Sequence, residues 1–169
     1  CRYCQVGKQN NLTGQSSCAY CEPGKYEDRV GQNECIDCVA GKWSEASGQH
    51  NMSYCIACEA GHYDERSGRG VNKCVACDPG KWSSMLGQAN ASHCIACVAG
   101  KFSPLTGQAS REGCISCARG KWSSVVGQSN HTQCISCVAG KYSVATGQTA
   151  KTSCIECAAG RWSFKVGLE

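Results

Sequence analysis

Apolar positions along this chain come in short steps rather than long stripes. One kind is a cysteine, an isoleucine or valine, a small or polar residue and a second cysteine, as in Cys94-Ile95-Ala96-Cys97. The other is a lone aromatic between a cation and a polar residue, as in Lys81-Trp82-Ser83. Each fits a short strand, the first through its β-branched residue. Glycines separate the two. One precedes the cation (Gly41, Gly61, Gly80, Gly100, Gly120, Gly140) and another opens a Gly-Gln step (Gly48, Gly87, Gly107, Gly127). Both predict turns, the first with positive φ. The pattern predicts a small hairpin-like loop. No stretch holds a helical period long enough to predict a helix.

The loop repeats, and the repeat decides the architecture. Nine C-x-x-C pairs fall at 1/4, 18/21, 35/38, 55/58, 74/77, 94/97, 114/117, 134/137 and 154/157. Their first members are 17, 17, 20, 19, 20, 20, 20 and 20 residues apart. The chain therefore reads as one continuous tandem array over 1–169. Repeats start near Cys4, Cys21, Cys38, Cys58, Cys77, Cys97, Cys117 and Cys137, with a partial one from Cys157. It begins on Cys1 and stops within a repeat, so a longer parent chain is expected, with any targeting or anchoring segment outside this stretch.

Composition agrees with many local staples. Eighteen of 169 residues are Cys and 20 are Gly. Without the cysteines the apolar share falls from 41% to roughly 30%, too little for one large core. A disulfide closing a loop of about 15 residues contributes roughly 3 kcal/mol. Ordering about 20 residues costs on the order of 20–40 kcal/mol. A single repeat cannot stand alone, and neighbours must stack as in solenoids. The aromatic of each repeat (Tyr26, Trp43, Tyr63, Trp82, Phe102, Trp122, Tyr142, Trp162) is the expected packing partner for the disulfide and for the next repeat's Ile or Val. The fold class expected is small and disulfide-rich, mostly irregular with short β-hairpins, in an elongated solenoid-like rod.

Two chemistries suit the cysteines. C-x2-C pairs with 13 to 16 residues between them lie close to zinc-ribbon spacing. Nine pairs in unbroken register, however, do not divide into four-ligand sites, and glycosylation sequons point to an oxidising compartment. Disulfides are the reading taken, with no metal and no cofactor. In extended chain the two cysteines of one pair diverge, so the simpler scheme joins the second of one pair to the first of the next. That gives Cys4–Cys18, Cys21–Cys35, Cys38–Cys55, Cys58–Cys74, Cys77–Cys94, Cys97–Cys114, Cys117–Cys134 and Cys137–Cys154.

A second period is twice as long. Trp occurs at 43, 82, 122 and 162, with Tyr or Phe between. N-x-[ST] sequons occur at Asn51, Asn90 and Asn130, each three residues after the Gly-Gln glycine, and a further one at Asn11 lies out of line. Covalent N-linked glycans are expected at these four. If successive repeats alternate sides, the aligned asparagines share a face, and Trp packs beneath the sugar or fills a wider junction there. The recurring cation (Lys8, Lys25, Lys42, Lys81, Lys101, Lys121, Lys141) is expected to lie over the adjacent aromatic or to solvate the surface. A cationic ladder for acidic polysaccharide is the alternative. The residue after the aromatic is Ser in six repeats, Glu27 or Asp64 in two. Turn hydrogen bonding explains all three types, whereas O-glycosylation explains only Ser.

Charge excludes little. Residues 1–80 hold 8 Lys and Arg against 10 Asp and Glu, and residues 81–169 hold 9 against 3. That imbalance is too small to point to nucleic acid, and no apolar run is long enough to span a membrane. The four His (50, 62, 93, 131) are scattered, no Ser/His/Asp set recurs, and an enzyme is not expected.

The string "CIACVAGKFSPLTGQASREGC" (residues 94–114) resembles ephrin-receptor-like and GCC2/GCC3 cysteine-rich repeats. It is also similar to the single-disulfide module of tumour necrosis factor receptor cysteine-rich domains. The likeness covers nearly the whole chain. It implies an extracellular, elongated, disulfide-laddered rod, secreted or at the cell surface. Long arrays of this kind look like those of appendage proteins of unicellular eukaryotes, mastigoneme-type fibrils among them. The function expected is structural, a glycoprotein core of a fibril or appendage. The partners expected are a second copy by self-association or further repeats of the same chain in a fibre, and glycans. A receptor or adhesin stalk is the alternative.

Overall fold

In the computed structural model, which describes residues 1–168, the Lys-aromatic steps and the Ile-containing steps are two-residue strands that pair with each other. Register is antiparallel and constant. Tyr26 stands opposite Ile36, Trp43 opposite Ile56, Trp82 opposite Ile95, Phe102 opposite Ile115, Trp122 opposite Ile135 and Tyr142 opposite Ile155. The aromatic thus faces the isoleucine of its own repeat rather than that of the next. The result is a small, disulfide-rich fold of short hairpins repeated in tandem.

Eight disulfides close the loops: Cys4–Cys18, Cys21–Cys35, Cys38–Cys55, Cys58–Cys74, Cys77–Cys94, Cys97–Cys114, Cys117–Cys134 and Cys137–Cys154. Cys1 and Cys157 have no disulfide partner among the described residues. Among the described residues, the buried apolar side chains are all cysteines. The hairpin isoleucines stay half exposed, as Ile95 does at 52%. The core is sulfur and backbone, which is how so little aliphatic surface suffices.

The five loops with a sequence separation of 17 between their bonded cysteines each hold one short 3-10 turn. These turns span Met52–Tyr54, Ala91–His93, Arg111–Gly113, His131–Gln133 and Lys151–Ser153. The loops with separations of 14 and 16 have none, so the extra residues are what the turn is made of. Three residues are too few to leave a helical period in the sequence.

The chain forms two compact units, Cys1–Val75 with Met85–His93 and Ala76–Ser84 with Cys94–Glu169. Inside each, one hydrogen-bond pattern ties a repeat to the next. In the first unit, Gly24 N donates to Ser44 O at 2.7 Å, Glu27 N to Gln49 O at 3.0 Å and Gly48 N to Cys21 O at 2.7 Å. In the second, Gly80 N donates to Ser103 O at 2.8 Å, Ser83 N to Gln108 O at 3.0 Å and Gly107 N to Cys77 O at 2.8 Å. Backbone donors and acceptors that a short hairpin leaves open are thereby satisfied by the neighbour.

A further contact skips a repeat. A Cβ on Gly24 would collide with the backbone of Gly68, and one on Gly41 with that of Gly87. In the second unit, Gly80 meets Gly127 in the same way, Gly100 meets Gly147 and Gly120 meets Gly167. The turn glycine of one repeat therefore seats the second glycine turn of the next repeat but one. It needs glycine twice over, for its positive φ (82° at Gly80) and for the missing side chain.

Gly80→Ala is expected to destabilise by about 3 kcal/mol or more, since left-handed strain and backbone collision act together. Gly14→Ala has the same strain (φ 73°) in open space, so a loss of only about 1–2 kcal/mol is expected. Denaturation midpoints of the two variants under non-reducing conditions check the difference; equal losses would remove the seating role.

Candidate functional site

The aligned sequons lie at the start of the 3-10 turns. Asn51 Oδ1 accepts from Ser53 N at 2.8 Å, Asn90 Oδ1 from Ser92 N at 2.8 Å and Asn130 Oδ1 from Thr132 N at 3.0 Å. At Asn130 the Gln133 side chain returns a bond to the Asn130 N–H at 3.0 Å, completing a capping box. All three asparagines are exposed. Their bonded atom is the oxygen, which leaves the amide nitrogen as the free end. Capping does not by itself require Asn. The same turn forms after Ser110, which makes no side-chain cap bond, and after Ala150, which cannot make one. Asn11 is exposed too, but lies outside these turns. His50, His93 and His131 all fall in the sequon loops and are exposed. The ring of His131 stands 6.2 Å from that of Phe102.

Parallel single bridges set which aromatic each loop meets. Tyr26 pairs with Gln49, Tyr63 with Gln88 and Phe102 with Gln128. Those three partners each lie two residues before a sequon asparagine. Trp43 pairs with Arg69, Trp82 with Gln108 and Trp122 with Gln148, all in loops without an aligned sequon. Each of these Trp is therefore bridged to a loop without an aligned sequon, not to the sequon of its own repeat. Pairing crosses to the following repeat, so a Trp repeat carries the sequon while its Trp backbone bridges the next, sequon-free loop. From Tyr26 to Gln148 two kinds of junction alternate: Tyr or Phe with a sequon, and Trp without.

The lysines do not lie on the adjacent aromatic. Some find a partner across the hairpin instead, and Lys81 pairs with Asp78 in the turn before it at 3.6 Å. Lys8 sits over the Tyr20 ring at 4.4 Å, Lys25 pairs with Asp37 at 3.1 Å and Lys141 with Glu156 at 3.1 Å. Across from Lys42, Lys101 and Lys121 stand Ala57, Ser116 and Ser136, which leaves these cations without an ion-pair partner among the described residues.

The residue after the aromatic is buried in most repeats, and at Glu27, Asp64 and Ser123 it accepts a turn hydrogen bond. Ser123 Oγ accepts from Val125 N at 3.2 Å, Glu27 Oε1 from Arg29 N at 3.1 Å and Asp64 Oδ1 from Arg66 N at 3.1 Å. Ser83, Ser103 and Ser123 are 3%, 1% and 0% exposed, which closes them to a sugar. Asp64 is also gripped by Arg69, through Nε at 2.9 Å and a second guanidinium nitrogen at 3.3 Å. Arg69 stands where other repeats have the Gln of the Gly-Gln step, so the buried charge comes with its own counter-charge. Glu27 has no such fork, and its Oε2 lacks a partner, as do Ser103 Oγ and Gln128 Oε1. The exposed Glu112 carboxyl is held below its ordinary range by the Ser110 side chain and its own amide.

Among the described residues no group of three or more His, Cys, Asp or Glu is placed to hold a metal ion, and no helix is long and apolar enough to cross a membrane. The disulfides point to an oxidising environment, extracellular or secreted. No known family model matches the chain, and no curated protein matches it.

Arg69→Gln is expected to cost about 2–3 kcal/mol by stranding the buried Asp64 charge. Asp64→Ser with Arg69→Gln recreates the Ser/Gln pair of the other repeats and should recover most of that loss. Denaturation midpoints of the single and double variants decide it; additive losses would mean that the two side chains act independently.

Proposed function

We propose that the chain is a structural extracellular glycoprotein whose array forms the core of a fibril or cell-surface appendage, with N-linked glycans at Asn51, Asn90 and Asn130. Asn11 is a further candidate acceptor. The observation that carries this reading is the uniform backbone lattice within each compact unit. Repeats there are bonded to the next through a recurring set of N–H and C=O groups, and glycine turns seat on the next repeat but one. A protein built to recognise one partner diversifies its loops. Here the loops keep their glycines, bridges and registers, and vary chiefly in what they expose. The exposed asparagines that the turns do not need add a second support, because their recurrence then calls for a use of its own. The resemblance to ephrin-receptor-like repeats fits the same role.

The test is electron microscopy of the native material joined to peptide mapping after N-glycanase treatment. Continuous fibres with an axial spacing of one or two repeats are expected, with Asn51, Asn90 and Asn130 converted to Asp by the enzyme. Short isolated stalks rooted in membrane, or unconverted asparagines, would overturn the fibre and the glycan halves of the reading respectively.

A further inference from the structure

We propose that the Trp122 junction is a binding pocket for one anionic sugar residue, a hexuronate or a sulfated hexose. A cavity of about 200 Å³ lies there, walled by Trp122, Ile135, Ser136, Val138, Lys141 and Lys151. That is below the ~300–1,000 Å³ of sites for drug-sized ligands and suits a single ring. All six residues belong to one compact unit.

The lining sorts into the parts a charged sugar needs. The indole and the two aliphatic side chains form an apolar wall for the C–H face of a pyranose. Ser136 supplies a hydroxyl that both donates and accepts. Two ammonium groups supply charge for a carboxylate or sulfate. Lys141 is tied to the exposed Glu156 at 3.1 Å. Lys151 has no ion-pair partner among the described residues, so the pair of lysines outweighs the one carboxylate. A free small anion would meet the same charge but gain nothing from the indole.

The alternation of junctions makes room for the ligand. Trp122 bridges to Gln148, and the turn that follows starts at Ala150, where the preceding loop has Asn130. The mouth therefore carries no glycan of its own. The turn's first residue is Lys151, where the sequon loops have Met52, Ala91 and His131. Trp82, Lys101 and Arg111 hold the equivalent places one period earlier, with Glu112 beside the arginine as a competing charge. The longer period thus alternates a junction that carries a sugar with one that receives a sugar.

The binding chemistry stands independently of the fibre reading and is tested on soluble chain. Indole N–H signals are followed by NMR during titration with glucuronate, glucose and acetate. Trp122→Phe identifies its signal by loss, and Phe102 at the equivalent place shows that the fold accepts the change. The Trp122 signal is expected to respond to glucuronate about tenfold more readily than to glucose, and not to acetate. Lys151→Ala, matching Ala91, should remove that preference. A Trp122 signal that ignores glucuronate, responds as well to acetate, or responds unchanged in Lys151→Ala overturns the pocket. Once binding is shown, N-glycanase treatment of the native material separates the sources. Dispersal assigns the sugar to an N-glycan on another copy; persistent retention on an acidic polysaccharide assigns it to the matrix.

Discussion

The structure depends on one close approach, a turn glycine meeting a second glycine turn two repeats along the chain. At Gly80 there is no room for even a methyl group against the backbone of Gly127. The second turn's peptide groups can approach this closely only where the seating residue lacks a side chain, and that closeness lets each hairpin's open N–H and C=O groups reach its neighbours. A two-residue strand pair is too short to persist on its own in water. Here it persists because disulfides fix its ends and neighbouring repeats satisfy its backbone. Isoleucines can stay half exposed because they are not what holds the array together.

The same contact gives the longer period a physical meaning. Trp repeats seat on Trp repeats, as Gly41 with Gly87 and Gly80 with Gly127, while the Phe102 repeat seats on the Tyr142 repeat through Gly100 and Gly147. Each repeat therefore has two different kinds of neighbour. The sequential neighbour contributes a bridge to the aromatic, and the next but one contributes a glycine turn. A chain with a single kind of contact has no reason to distinguish odd from even repeats. With two kinds, side chains that matter only at one class of junction can recur at twice the repeat length.

The hairpins and their turns were legible in the sequence because their signals are local. A β-branched residue between cysteines, an aromatic beside a cation and a glycine before it all act within a few residues. The junctions were not legible. Glycine's contribution at Gly80 is an absence of atoms, and its partner Gly127 is far away in the sequence, so nothing in the local pattern announces the pair. The bridge partner of each Trp was not legible for a related reason. The sequon lies in the same repeat as the Trp, and nearness in sequence suggested nearness in space, but the bridge runs from Trp82 to Gln108 and from Trp122 to Gln148. The burial of Ser103 and Ser123 was hidden too, since a serine in a turn reads the same whether its hydroxyl faces solvent or backbone.

Departures from the pattern show which positions the lattice holds fixed. The Tyr63 repeat is shorter, lacks the 3-10 turn, and carries Asp64 and Arg69 in place of Ser and Gln. It still seats Gly68 against Gly24 and still bridges Trp43 to Arg69. A buried carboxylate is tolerated there because a guanidinium five residues on meets both of its oxygens, which offsets the desolvation of the charge. The loop tips and turn starts vary freely, from Glu45 and Glu65 to Leu105 and Val125, and from Met52 to Lys151. The backbone lattice constrains glycines, cysteines and the buried acceptor, and it leaves the exposed positions open to change. Function in such an array has to be written at those exposed positions, and the cation and the sequon at the turn starts are where the junctions differ most.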